Sequence, residues 1–90
     1  MKIIIVETNS IFLPSIVALG RRFSATLGHF PAGAFEDAAR AKTILAALID
    51  DKLAGYLLYR EVPTHRRASI VHLCVDPMYR TLGIGRALVE

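Results

Sequence analysis

Two glycines near the end of this chain, Gly83 and Gly85, stand between an apolar run at 69–75 and a closing stretch, 86–90, of helical character. A glycine turn that opens a helix constrains a chain in two ways. It marks a strand-to-helix junction, and it builds an anion site. The first turn of a helix presents N–H groups without intrahelical acceptors, together with a partial positive charge. Glycine lets a phosphate approach that backbone closely. Two common phosphate loops do not fit. The Walker A pattern, with its Gly-Lys-Ser/Thr ending, is missing. The dinucleotide pattern GxGxxG has Leu88 in place of its third glycine and expects the turn directly after its strand, whereas seven residues separate Val75 from Gly83.

The rest of the chain reads as alternating strands and helices. The β-branched opening "KIIIVET", 2–8, is a short strand. Asn9 or Ser10 offers an N-cap for a helix over 11–25, whose Ile16, Ala18, Leu19 and Phe23 fall near helical spacing. Pro14 sits in its first turn, where a missing N–H costs little. Gly28 ends that helix, and Pro31 starts a second one, 31–42, with Glu36 and Asp37 near its positive end. Apolar runs at 43–49 and 53–62 are joined by Asp50, Asp51 and Lys52, a hairpin by composition. A turn broken by Pro63 leads to the strand at 69–75, and Asp76, Pro77 and Met78 end it, since proline cannot donate to a ladder. The order is β-α-α-β-β-β-α in one domain, 1–90. This is the α+β class, with a mixed, mostly antiparallel sheet and flanking helices.

Composition narrows the function. Of 90 residues 53% are apolar and 21% charged, an ordinary soluble balance. The apolar run at 44–49 is far short of the roughly 18–20 residues that cross a bilayer. The N-terminal run 3–6 meets Glu7 too soon for a signal peptide, so a cytoplasmic protein without membrane contact is expected. The net charge of +3 is concentrated in 60–67, which reads as a solvated loop. No aromatic residue interleaves with those charges, which argues against nucleic acid. A single cysteine, Cys74, excludes an internal disulfide. Three scattered histidines, His29, His65 and His72, without a CxxC give no metal site.

A third phosphate-loop pattern does fit. Val75, Pro77 and Arg80 form a V-x-P-x-x-R strand exit, and Arg80, Gly83 and Gly85 complete R-x-x-G-x-G before a helix. With the preceding hairpin "DDKLAGYLLYR", this resembles the acetyl-coenzyme A signature of the GNAT superfamily of N-acetyltransferases. The resemblance covers 43–90 closely and 1–42 in the order of elements. It implies an acyl-CoA N-acyltransferase fold, acetyl-CoA as cosubstrate, and direct transfer of the acetyl group to an amine acceptor, small molecule or protein. It also implies a cofactor site in which the backbone of Leu82, Gly83, Ile84, Gly85 and Arg86 cradles the pyrophosphate. Arg80 and Thr81 belong to the same turn. Leu73, Cys74 and Val75 would pair with the pantetheine arm, and one of their N–H groups would stabilise the oxyanion. No metal is required. The acceptor is expected near the first two helices, at His29 and Phe30.

Catalytic side chains are harder to assign. Cys74 lies beside the expected thioester, but a free cysteine is commonly a small core hydrophobe. His72 has the right chemistry for a general base, and equally reads as a strand histidine with a hydrogen-bond partner. Counting back from the glycine motif, the position where some members carry a glutamate base holds Ser69. Many members supply an acid from a tyrosine beyond the signature helix; Tyr79 is a candidate here, though it precedes the turn. The chain ends at Glu90, inside that helix, so an N-terminal piece of a longer enzyme is expected, lacking a C-terminal strand and helix. An exposed strand edge would then invite self-association. The alternative is an inactive module that holds coenzyme A or a partner chain.

Overall fold

The computed structural model describes residues 1–23, 32–62 and 67–89. Strand β1 (Lys2–Ile5) is shorter than the sequence suggests, although Val6 N–H still donates to Ile44 O at 2.9 Å. Helix α1 (Leu13–Arg22) starts two residues later than expected. Its N-cap is Phe12, with no side-chain cap. The Ser10 hydroxyl accepts instead from Phe12 N–H at 3.1 Å, a local turn that competes with helix entry. In α2 (Ala32–Arg40) the acidic residues Glu36 and Asp37 lie beyond the first turn, and Asp37 bonds Arg40 at 3.0 Å. The expected charge–dipole placement is therefore not met. Pro31 and Gly28 lie outside the described residues.

Strands β2 (Ile44–Ile49) and β3 (Lys52–Val62) form the expected hairpin. Asp50 and Asp51 both have positive φ, 51° and 62°, as a two-residue type I′ turn requires. Strand β4 (Arg67–Val75) follows, and the sheet order is β1-β2-β3-β4 with every described pairing antiparallel. Two registers slip. Ala54 is an extra residue on β3 against β2, and Val71 is an extra residue on β4 against β3. Each is a bulge, where the strand bends and its twist increases.

Helices cover both faces. Leu13, Ile16 and Leu19 of α1 and Phe35, Ala38 and Ala39 of α2 bury against Ile44, Ala46, Tyr56, Leu58 and Cys74. On the opposite face, helix α3 (Ile84–Val89) places Ile84 and Leu88 on Ala47, Ala54 and Leu57. At roughly 1.5–3 kcal/mol for each large apolar side chain fully buried, these two interfaces hold the layers together. Small residues set how close they come. A Cβ at Gly55 would stand 2.9 Å from Cys74 O, 3.2 Å from Val75 Cα and 3.2 Å from Ile84 Cγ2. Glycine is thus what lets β4 and α3 close onto β3. Gly55→Ala should cost about 1–3 kcal/mol of stability in urea unfolding, because backbone must shift to admit the methyl. Parent-like stability would show that this close approach is not needed.

Candidate cofactor and acceptor site

The end of β4 is built around Asp76. Its N–H donates to Ala54 O at 2.8 Å, so the β3 bulge receives the strand exit. Its Oδ1 accepts from Met78 N–H at 3.0 Å and its carbonyl from Tyr79 N–H at 2.8 Å, which winds Pro77–Leu82 into a 3₁₀ turn. Its Oδ2 accepts from Arg22 Nη1 at 3.2 Å, fastening the end of α1 to the same point. The 3₁₀ turn ends at Gly83 with φ 70° and ψ 24°, left-handed backbone that a side chain strains. Helix α3 then begins. Its first described intrahelical bond runs from Ala87 N–H to Gly83 O at 3.0 Å, so the N–H groups of Ile84 and Gly85 point out of the helix end. A Cβ at Gly85 would meet Val75 Cγ2 at 3.8 Å and Leu73 Cδ2 at 4.0 Å. The glycine turn therefore folds back against the end of β4.

This brings together most of the residues singled out by the sequence. Leu73 and Val75 pack on the α3 face with Tyr79, while Ile84 is itself core, 1% exposed, so that only its backbone can serve a ligand. Gly83 and Arg86 are exposed, and the backbones of Arg80, Thr81 and Leu82 form the 3₁₀ turn. His29 and Phe30 lie outside the described residues. Cys74 is buried on the α1–α2 face. His72 is also buried, and its Nδ1 lies 2.6 Å from Tyr56 Oη. The Phe35 ring meets both edge-on, at 5.8 Å from Tyr56 and 6.2 Å from His72. His72 and Tyr79, the two candidates for proton transfer, thus stand on different faces of the sheet.

Burial sets the electrostatics of this wall. It pushes the Tyr56 phenol far above its ordinary range, and an ionised Cys74 beside it would push the same way. It lowers the His72 imidazole below its ordinary value, favouring the neutral ring. Main-chain directions follow from the register. Asp76 bonds Ala54, so Cys74 and His72 turn their backbone N–H and C=O toward β3, and Leu73 and Val75 turn theirs to the outer edge of β4. Among the described residues no strand lies beyond that edge. A groove of about 820 Å³ runs along α1, and its described lining residues, Ser10, Leu13, Val17, Arg21 and Glu36 among them, include none on β4 or the glycine turn.

Sequence reading missed Tyr56, Gly20 and Arg22. Tyr56 follows Gly55 in the hairpin, but its partner could be found only from the cross-strand register. The two signature glycines also differ in kind. Gly83→Ala should cost about 1 kcal/mol, because its backbone is left-handed, while Gly85→Ala should leave stability within about 0.5 kcal/mol or raise it. Thermal unfolding of both variants checks this, and equal losses would refute the distinction.

The acetyltransferase (GNAT) family model matches residues 15–90. Comparison with curated proteins yields no match. Among solved structures, the chain is similar to diaminobutyrate acetyltransferase EctA from Paenibacillus lautus, in complex with L-2,4-diaminobutyric acid and coenzyme A. The TM-score is 0.82 at 14% identity, covering 98% of this chain and 53% of that one. It is similar to N-acetylglutamate synthase from Neisseria gonorrhoeae, complexed with coenzyme A and N-acetyl-glutamate, with TM-score 0.80, 22% identity, and coverage of 99% and 21%. It is also similar to a ribosomal-protein-alanine N-acetyltransferase from Brucella melitensis biovar Abortus 2308, with TM-score 0.72, 18% identity, and coverage of 98% and 65%. The chain therefore spans less than two thirds of the length of these structures, and the likeness is one of fold. With a family match over most of its length, the chain belongs to the acetyltransferase (GNAT) family.

Proposed function

We propose that this chain forms the acetyl-CoA-binding part of an N-acetyltransferase that moves an acetyl group directly to an amine. One observation carries the reading: Leu73 directs its main-chain N–H and C=O to the outer edge of β4, beside the glycine turn. A pantetheine arm laid along that edge would bond as an added strand, its pyrophosphate reaching the N–H groups of 82–86. The thioester carbonyl would then meet Leu73 N–H, a preorganised donor for the oxyanion. The amine nitrogen forms its bond to the carbonyl carbon, the C–S bond breaks, the nitrogen releases a proton, and the coenzyme A thiolate leaves and takes one up. Ile84 and Leu88 fill the α3 face beneath, so the acceptor is expected from the α1–α2 side. We place the protein in the cytoplasm; among the described residues no helix is long and apolar enough to cross a membrane. The outer β4 edge would also favour self-pairing, which light scattering showing only monomer at high concentration would exclude.

Calorimetry with coenzyme A tests the site. The parent should bind, and Gly83→Val should lose at least about tenfold in affinity, since a β-branched side chain blocks the approach of a phosphate and strains the backbone. Equal affinity in parent and variant would remove the glycine turn from the site. Binding without thiol release from acetyl-CoA in the presence of amines would favour the second reading, a module that holds coenzyme A without turnover. Cys74, buried in the α1–α2 core, should carry no acetyl group after brief exposure to acetyl-CoA. Mass spectrometry that finds one there would overturn direct attack.

A further inference from the structure

We infer that Tyr56 is a positioning residue that locks His72 in its Nε2–H tautomer, so that the imidazole stands on the acceptor face as a neutral donor and not as a base. The inference rests on the acetyl-transfer reading above for its meaning, but its physical content stands alone. Tyr56 is wholly buried, at 0% exposure, so its phenol proton cannot be handed to bulk water. Among the described residues its Oη has one hydrogen-bond partner, His72 Nδ1 at 2.6 Å. Two more of its neighbours are carbon. A Cβ on Gly20 of α1 would stand 2.7 Å from Tyr56 Oη and 3.0 Å from Phe35 Cζ, so the bare glycine backbone and the Phe35 ring pack around the hydroxyl. Neither the glycine methylene nor the ring offers a lone pair in that direction. A buried O–H without an acceptor is strongly disfavoured, so the proton is donated to Nδ1. A neutral imidazole that accepts at Nδ1 carries its own proton at Nε2.

The surroundings keep the ring neutral. Among the described residues, the titratable groups on its face of the sheet are Tyr56 and Arg60 on β3 and Cys74 on β4, with Arg60 exposed. Helices α1 and α2 contribute Gly20 and Phe35 to this wall, and their Arg21, Arg22, Glu36 and Asp37 are exposed. Burial of the ring disfavours the imidazolium. A base must offer a lone pair, and this tautomer has none at Nε2. An acceptor arriving as an ammonium ion must therefore release its proton to solvent before its nitrogen attacks. The rate should then climb with pH toward the pKa of the acceptor amine, without a histidine limb near 6 to 7.

The test is nitrogen-detected NMR of the chain with labelled histidine. At pH 7 the His72 signals should show a bare Nδ1 and a protonated Nε2, with protonation only below the ordinary value of about 6.5. Tyr56→Phe should shift the ring to a mixture of tautomers. Gly20→Ala, which presses on the hydroxyl without removing it, should shift it in the same direction and serves if the Phe variant does not fold. A proton on Nδ1, or an imidazolium at pH 7, would overturn the inference, as would an unchanged tautomer in both variants. Loss of coenzyme A binding with the tautomer as assigned would overturn only the functional reading.

Discussion

Antiparallel pairing of β3 with β4 decides where the main chain and side chains of β4 point. Once Asp76 N–H is fixed to Ala54 O, alternation sends the main chain of Cys74 and His72 inward and that of Leu73 and Val75 outward. The same alternation sends the side chains of Leu73 and Val75 to α3, and that of Cys74 to α1 and α2. A slip of one residue would exchange the two sets and would leave the helices facing the wrong side chains. Packing and main-chain chemistry are therefore specified by one set of hydrogen bonds.

Close approach is the second constraint, and small residues provide it on both faces. Gly55 admits Ile84 and the β4 backbone on one side. On the other, Gly20 admits the Tyr56 hydroxyl and the Phe35 ring. A glycine within a helix costs helix stability, about 1 kcal/mol against alanine. At Gly20 that cost accompanies a contact that no larger residue could make without displacing the hydroxyl bonded to His72.

Local chemistry made much of this legible in the sequence. The Asp50–Asp51 turn, the strand exit at Pro77 and the glycine turn each depend on residues adjacent in the chain, and all three appear where they were expected. Failures arose where a competing local bond or a distant partner decided the outcome. The Ser10 hydroxyl closes its own turn and delays α1. Asp37 finds Arg40 before it finds a helix end. The Tyr56–His72 pair joins residues sixteen apart in sequence, and only the register makes them neighbours. The stretch 77–82 carries no helical periodicity, yet Asp76 winds it into a 3₁₀ turn by receiving Met78 N–H.

The bulge at Val71 acts on β4 as a phase shift acts on a wave. Counting by twos from His72 along an ideal strand reaches Ile70 on the same side and leaves Ser69 on the other. With Val71 looped out, Ile70 stands opposite Tyr59 and Ser69 opposite Arg60. Directly opposed residues share a side, and Arg60 alternates with Leu58 and Tyr56, so Ser69 falls on the face that carries His72. One inserted residue thus inverts the parity of the strand between its two ends. The N-terminal end of β4 presents Ser69 to the α1–α2 face, and the C-terminal end presents His72 and Cys74. A single strand in this way serves two differently spaced sets of side chains.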